Sequence, residues 1–193
     1  MRFATGVRSD VGRVRSINED AVAVGHRPGL GGGGGGGDPG GGGGRAVADR
    51  TLTGMGTTLR AAAALDGDGT AVGVVNVGDS RVYLLDDGVL RQISEDHSFV
   101  ETLVREGRLT PEQAEVHPQR NVLTRALGIE PELLVDAWRV EVADGDRFLL
   151  CSDGLFNEVG ETTITEVLGA GGEPGAAASE LVELALAAGA RDN

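Results

Sequence analysis

The sequence contains no lysine: all 17 of its basic residues are arginine, set against 30 acidic residues in a chain of 193. The absence of lysine excludes Schiff-base chemistry and the lysine of a P-loop. The single cysteine, Cys151, excludes an internal disulfide and a zinc site built from several cysteines. Aromatic residues make up only 3% of the chain, which leaves little for stacking on nucleic-acid bases.

The charge balance and the lack of long apolar runs exclude further classes of protein. A net charge of −13 repels phosphate backbones, so we expect no nucleic-acid partner. No stretch approaches 18 consecutive apolar residues, and the first residues lack the apolar run of a signal peptide. We therefore expect a cytoplasmic protein without a membrane partner, and we expect it to be a monomer.

Glycine is concentrated in one segment, residues 29–44, which reads GLGGGGGGGDPGGGGG. Such a segment cannot bury apolar surface, and it is typical of a flexible coil. The 28 residues that precede it are too few to fold alone. The sequence thus predicts a single domain across residues 1–193, with a disordered glycine-rich insert at 29–44.

Short runs of β-forming residues occupy the middle of the chain, and helical patterns follow later. The Asp87-Gly88 pair is typical of a hairpin turn, and Thr110 followed by Pro111 is typical of a helix start. These patterns predict an α+β fold with largely antiparallel sheets, in which the central strands form a meander. The predicted strands are Ala21–Gly25, Arg45–Ala48, Ala71–Val77, Arg81–Leu85, Val89–Ile93, Val135–Val142 and Arg147–Cys151, and the predicted helices include His97–Glu106, Glu161–Leu168 and Ala176–Ala188.

Two familiar arrangements for nucleophilic catalysis are absent. A cysteine phosphatase needs an arginine six positions after its cysteine, and here that position holds Asn157. A nucleophile elbow needs Gly-x-Ser-x-Gly, whereas residues 150–154 read LCSDG. The sequence therefore offers neither of these two nucleophiles.

The remaining candidates for catalytic residues are aspartates at the ends of strands: Asp20, Asp79, Asp153 and Asp192. Each alone fits an ordinary turn. Together they indicate an acidic cluster, which requires a cation or a shared proton to offset the repulsion. Oxygen ligands without cysteine or spaced histidines favour Mg²⁺ or Mn²⁺, and two such ions could activate water and neutralise a phosphoryl group.

Seven motifs occur in an order that resembles the bacterial branch of the PP2C-type (PPM) metal-dependent serine/threonine protein phosphatases. The resemblance runs from Ser9 to the last residue and is interrupted around the glycine tract. Any single motif is weakly specific, whereas the ordered set is highly specific. The motifs are RSINED at 15–20, GMGTTL at 54–59, VGDSRVY at 77–83, EDHS at 95–98, HPQRNVLTRALG at 117–128, LCSDGL at 150–155 and DN at 192–193.

The resemblance implies a fold and a metal centre. The fold would be an antiparallel β-sandwich flanked by helices, incomplete in this chain, and the cofactors would be two or three Mn²⁺ or Mg²⁺ ions. Asp153 and Asp192 resemble ligands of the two-metal centre, and Asp79 takes the place of the ligand to an additional ion. In this family, water or hydroxide attacks phosphorus directly, without a phospho-enzyme.

The resemblance also implies how a substrate is held. Arg15 matches the arginine that grips the substrate phosphate, since a guanidinium can bind two phosphate oxygens at once. Glu19 and Asp20 resemble the carboxylates that hold metal-bound waters. The segment Leu103–Arg125 resembles the bacterial flap over the site. The partners would be phosphorylated proteins that serine/threonine kinases produce.

The chain departs from the family pattern where the Asp-Gly-x-Gly-Gly-His motif should follow the first strands. Asp49 is the candidate for its bridging aspartate, but Arg50 follows it, and that cation would oppose the binding of divalent ions. Asp38 is a weaker substitute because glycines surround it. The helices expected after the motif are missing, which would leave one sheet face exposed, and the chain stops at Asp192-Asn193 before the next expected strand.

Simpler interpretations stay open beside these roles. Arg15 could be a solvated strand charge, Asp79 could cap a tight turn, and Asp192 could be frayed. His97 fits a residue at a helix start better than a ligand, and Trp138 and Phe148 fit core positions. For the whole chain, the alternative to an active phosphatase is an inactive pseudophosphatase or truncated fragment that acts at most as a phosphoprotein-binding module.

Overall fold

The computed structural model describes residues 3–10, 13, 57–129 and 132–190. Their strands form two antiparallel sheets of three strands each, in the orders β1-β2-β5 and β4-β3-β6. The predicted strands Ala21–Gly25 and Arg45–Ala48, and the glycine-rich segment 29–44, lie outside the described residues. The strands are β1 (Leu59–Ala64), β2 (Ala71–Val77), β3 (Arg81–Asp86), β4 (Val89–Gln92), β5 (Asp136–Glu141) and β6 (Arg147–Cys151).

Local sequence signals mark an end of three of the described helices. Ser98 caps α1, because its side chain accepts a hydrogen bond from the Glu101 amide. Thr110 and Gln113 form a reciprocal capping box at α2. Gly189, in the left-handed conformation, ends α5. The helices are α1 (Phe99–Arg105), α2 (Pro111–Glu115), α3 (Asp153–Phe156), α4 (Glu161–Gly169) and α5 (Pro174–Ala188).

The prediction of one central meander was wrong, because β2 and β3 belong to different sheets. β2 pairs with β1 and β5, whereas β3 pairs with β4 and β6. The chain passes from the middle strand of one sheet to the middle strand of the other through the turn Gly78-Asp79-Ser80, so this turn lies at one end of the sandwich. Only the β3–β4 hairpin forms as predicted, and its turn residues Asp87 and Gly88 both have positive φ.

Two clusters of apolar side chains hold the two sheets and the helices together as layers. Between the sheets, Val72 and Val74 of β2 pack with Val82 of β3, and Trp138 and Phe148 lie against them. This confirms the prediction that both aromatic residues serve the core. On the other side of the second sheet, helices α4 and α5 cover β3 through a cluster of buried residues. Its members are Leu85, Val159, Ile164, Val167, Leu168, Ala177, Leu181, Ala185 and Ala190.

The outer face of the first sheet carries small residues that are open to solvent. Ala61 and Ala63 of β1 and Ala137 of β5 are exposed, and Val75 of β2 is half-buried. The exposure agrees with the expectation that one sheet face lacks its covering helices. β1 itself was not predicted, because an alanine-rich strand carries little β propensity and forms here by pairing with β2.

None of the helices in the described part of the chain is long and apolar enough to cross a membrane.

Candidate metal centre

The fold places two of the predicted metal ligands next to each other. Asp79 lies in the turn after β2, and Asp153 is the first residue of α3, separated from β6 only by Ser152. Because β6 pairs with β3 in the register Arg81↔Cys151, the end of β6 lies beside the start of β3. The two aspartates therefore meet at one end of the sandwich, where the chain leaves both sheets.

The electrostatics of Asp79 are those of a crowded carboxylate. Partial burial is the main cause that raises the pKa of Asp79, and the negative charge of Asp153 is the next. Asp96 raises it further, while Arg81 lowers it. A carboxylate that is both desolvated and close to a like charge is stabilised when a cation binds between them. The donor chemistry of this pair therefore fits a divalent ion with a preference for oxygen ligands.

The turn that carries Asp79 is tightly built. Gly78 has φ = 110°, a conformation that side-chain-bearing residues rarely adopt. A Cβ at Gly78 would lie 2.3 Å from Cγ2 of Thr58, so a side chain at this position would also clash with Thr58. On the other side of Asp79, the hydroxyls of Ser80 and Thr58 hydrogen-bond at 3.1 Å. The turn thus holds Asp79 in a defined backbone conformation.

Arg81 links this turn to the helix that carries Asp153. Its Nε and Nη2 donate to Asp96 at 2.9 and 2.8 Å, and its Nη1 donates to the Tyr83 hydroxyl at 3.0 Å. The guanidinium also stacks on the ring of Phe156 in α3, 3.8 Å from the ring centre. A bidentate ion pair with a stacked ring fixes the guanidinium plane, so Arg81 fixes α3 relative to β3.

The thiol of Cys151 is buried at the end of β6, and burial raises its pKa to about 12. A thiol in that environment stays protonated and is a poor nucleophile at neutral pH. The geometry therefore agrees with the absence of a cysteine-phosphatase motif.

The other predicted site residues lie outside the described residues: Arg15, Glu19, Asp20, Asp49 and Asp192. Within residues 3–10, 13, 57–129 and 132–190, no group of three or more histidine, cysteine, aspartate or glutamate side chains is arranged to hold a metal ion. The described part thus supplies the carboxylate pair of Asp79 and Asp153, and the other predicted ligands, Asp49 and Asp192, lie outside it.

Sequence reasoning missed several polar residues that support the site. The predicted helix at His97 begins two residues later, at Phe99, and His97 is buried instead. Asp96, Arg125 and Asp136 carry hydrogen bonds around the same turn. The EDHS motif at 95–98 was the available signal. However, Arg81, the charged partner of Asp96, lies 15 residues away in sequence, and Asp136, the partner of the His97 ring, lies 39 residues away.

Comparison with known proteins settles the family. The family model described as Protein phosphatase 2C matches residues 43–183. The chain belongs to this family. It is 41% identical to the serine/threonine protein phosphatase PstP of Mycobacterium tuberculosis, over all of this chain and 43% of PstP. It is 49% identical to the serine/threonine phosphatase stp of Listeria monocytogenes, over 64% of this chain and 48% of that protein.

Solved structures of the 2C family share the fold. A crystal structure of Mycobacterium tuberculosis PstP matches with a TM-score of 0.67 and 49% identity, over 74% of this chain and 58% of that one. The PstP catalytic domain in complex with two manganese ions matches with a TM-score of 0.64 and 46% identity, over 73% and 56% of the two chains.

This 2C-family chain spans less than half the length of the two curated relatives. The alignment with PstP extends over 233 positions, 40 more than the 193 residues here, so PstP has internal segments without a counterpart in this chain. This difference agrees with the internal deletion that the missing Asp-Gly-x-Gly-Gly-His motif indicates.

Proposed function

We propose that this chain is a metal-dependent protein serine/threonine phosphatase that hydrolyses phosphoserine and phosphothreonine in phosphorylated proteins. The observation that carries the proposal is the meeting of Asp79 and Asp153 at one end of the sandwich, with the raised pKa of Asp79. The PstP structure with two manganese ions shows that a relative of this fold holds such ions. Mn²⁺ or Mg²⁺, in two or three copies, are the cofactors we propose.

In this proposal the carboxylates of Asp79 and Asp153 hold divalent ions, together with Asp49 and Asp192. Bound ions of this kind neutralise phosphoryl charge and activate water for hydrolysis. Partial burial of Asp79 keeps bulk water from screening its charge, which strengthens its attraction for a cation.

The residues proposed to handle the substrate follow the family pattern. Arg15 would bind two oxygens of the phosphate through its guanidinium fork, and Glu19 and Asp20 would orient water by hydrogen bonds. No protein nucleophile is needed, which suits a site whose nearby thiol, Cys151, is buried and protonated.

The flap proposed over the site, Leu103–Arg125, includes the end of α1 and all of α2. Its second end is held to the body of the domain, because the Phe99 amide donates to the Val122 carbonyl and the Thr124 amide donates to the His97 carbonyl, both at 2.8 Å. A segment anchored in this way can present a surface to a phosphoprotein while its base stays fixed.

Hydrolysis of p-nitrophenyl phosphate and of a phosphothreonine peptide tests the proposal, with Mn²⁺ and with EDTA. We expect Mn²⁺-dependent turnover that falls at least about 100-fold in Asp153→Asn, since even outer-shell changes cost 10–100-fold in activity. Asp87→Asn is the matched control, because Asp87 is exposed in the β3–β4 turn and asparagine accepts its positive φ.

Thermal unfolding with and without Mn²⁺ separates a failure of chemistry from a failure of folding. At 100 times its dissociation constant, an ion that binds only the folded chain adds about 2.7 kcal/mol, or roughly 5–10 °C for a domain of this size. A folded wild-type chain that gains no stability from Mn²⁺ and shows no turnover would contradict the proposal. That result would favour a phosphatase-like fragment.

A further inference from the structure

His97 is buried directly beside the turn that carries Asp79. Only 2% of its surface is exposed, and both of its ring nitrogens have partners. The Gly78 amide, one residue before Asp79, donates a hydrogen bond to Nδ1 of His97 at 3.1 Å. Nε2 of the ring lies 2.9 Å from Oδ2 of Asp136 at the start of β5. The ring thus joins the Asp79 turn to the first sheet.

The hydrogen bonds define which ring nitrogen carries the proton. Because Nδ1 accepts from a backbone amide, it has no proton of its own, and the neutral ring must carry its proton on Nε2. That proton is donated to the Asp136 carboxylate, which also accepts from Nη1 of Arg125 at 2.8 Å. Asp136 therefore selects the one tautomer that leaves Nδ1 available to Gly78.

Other bonds hold the carbonyl of Gly78, which belongs to the next peptide group, between Gly78 and Asp79. The Gly78 carbonyl accepts from the His97 backbone amide at 2.9 Å and from Nδ2 of Asn76 at 3.1 Å. These two bonds do not depend on the imidazole ring. Because these two bonds remain, loss of the ring acceptor should free the Gly78 amide without unfolding the domain. The freed backbone at Gly78 should then let the neighbouring Asp79 shift.

We propose that His97 is a positioning residue, oriented by Asp136, which fixes the Gly78 amide and thereby aims the Asp79 carboxylate at its cation. The inference rests on the proposed function, because it takes Asp79 as a metal ligand. Groups that orient the ligands of a metal site commonly change its affinity 10–100-fold when they are replaced.

Two substitutions of His97 separate a positioning role from a structural one. His97→Asn places an amide oxygen near the position of Nδ1, so it can still accept from Gly78. His97→Gln reaches toward Asp136 with its longer side chain and offers Gly78 no equivalent acceptor. The measurements are Mn²⁺ titration of the full chain, followed by the electron paramagnetic resonance of free Mn²⁺, and the exchange rate of the Gly78 amide. Asp79→Asn identifies the binding phase that depends on Asp79.

The inference predicts that His97→Gln weakens the Asp79-dependent phase at least about 10-fold, whereas His97→Asn retains affinity within a few-fold. The Gly78 amide should exchange faster in His97→Gln than in His97→Asn. Equal Mn²⁺ affinity in the two variants, with the Asp79-dependent phase intact, would overturn the inference and leave the proposed function standing. Mn²⁺ binding that Asp79→Asn does not change would overturn the metal assignment and the inference together.

If the substitutions at the buried His97 prevent folding, a variant of Asp136 tests the same inference. Asp136 is partly exposed, and Asp136→Ala removes the acceptor that selects the tautomer of His97. We expect weaker Mn²⁺ binding in the Asp79-dependent phase and a change in the ¹⁵N shifts of the His97 ring. Wild-type Mn²⁺ affinity in a folded Asp136→Ala protein would overturn the inference.

Discussion

Replacement of Gly78 by alanine should destabilise the domain far more than the same replacement at another glycine with positive φ. Gly78 has φ = 110°, and a Cβ there would lie 2.3 Å from Cγ2 and 2.6 Å from Cβ of Thr58. Ordinary contacts between carbon atoms are about 3.5–4.0 Å, so the new methyl group must displace Thr58. Thr58 resists this because its hydroxyl is hydrogen-bonded to Ser80.

The expected loss has two parts. Positive φ costs a residue with a side chain about 1–2 kcal/mol. Overpacking a well-filled position costs about 1–3 kcal/mol more. The free energy of unfolding should therefore fall by about 2–5 kcal/mol in Gly78→Ala, which corresponds to a decrease of roughly 4–20 °C in Tm for a domain of this size.

Gly88→Ala is the matched control for the Gly78 variant. Gly88 has φ = 77°, and nothing lies within 4 Å of the position that its Cβ would take. The free energy of unfolding of Gly88→Ala should therefore fall only by the cost of the positive φ, about 1–2 kcal/mol. The assay is thermal unfolding of both variants and the wild type in EDTA. Equal losses of Tm in Gly78→Ala and Gly88→Ala would refute the argument from the Thr58 contact.

Two further predictions concern the charges around the site. Arg81→Met removes the charged partner of the nearly buried Asp96, which keeps the Gln92 side-chain amide as a donor, and should cost about 3–5 kcal/mol in urea unfolding. Arg139→Met, at an exposed ion pair, should change stability by less than about 0.5 kcal/mol. Equal losses in the two variants would contradict the role of the buried pair. Because burial and then Asp153 raise the pKa of Asp79, the metal-free folded state keeps that proton to higher pH than the unfolded state, and stability falls as pH rises through the folded pKa. Asp79→Asn should therefore be more stable than the wild type at neutral pH in EDTA, and the difference should vanish below about pH 4. The measurement is the Tm of both proteins as a function of pH. A difference in Tm that did not depend on pH would contradict this prediction.

Local sequence signals predicted the secondary structure because the relevant forces act over a few residues. Thr110 with Pro111 gave the start of α2, and Asp87-Gly88 gave the hairpin turn, since caps and turns depend on neighbouring backbone groups. The helix at His97 was placed two residues too early, because Ser98 is the residue whose side chain caps α1. The helix α3 at Asp153 is only four residues long, and no periodic pattern could reveal it.

The ordered motifs determined the family and named Asp79 and Asp153 as candidate ligands, because residue types at motif positions can be read without knowing the fold. The tertiary structure decided that the two aspartates meet, and it divided β2 and β3 between two sheets. It also decided that His97 turns its ring to Gly78. Each of these outcomes depends on contacts between segments far apart in sequence, and those contacts form only when the apolar faces of the whole domain are buried together.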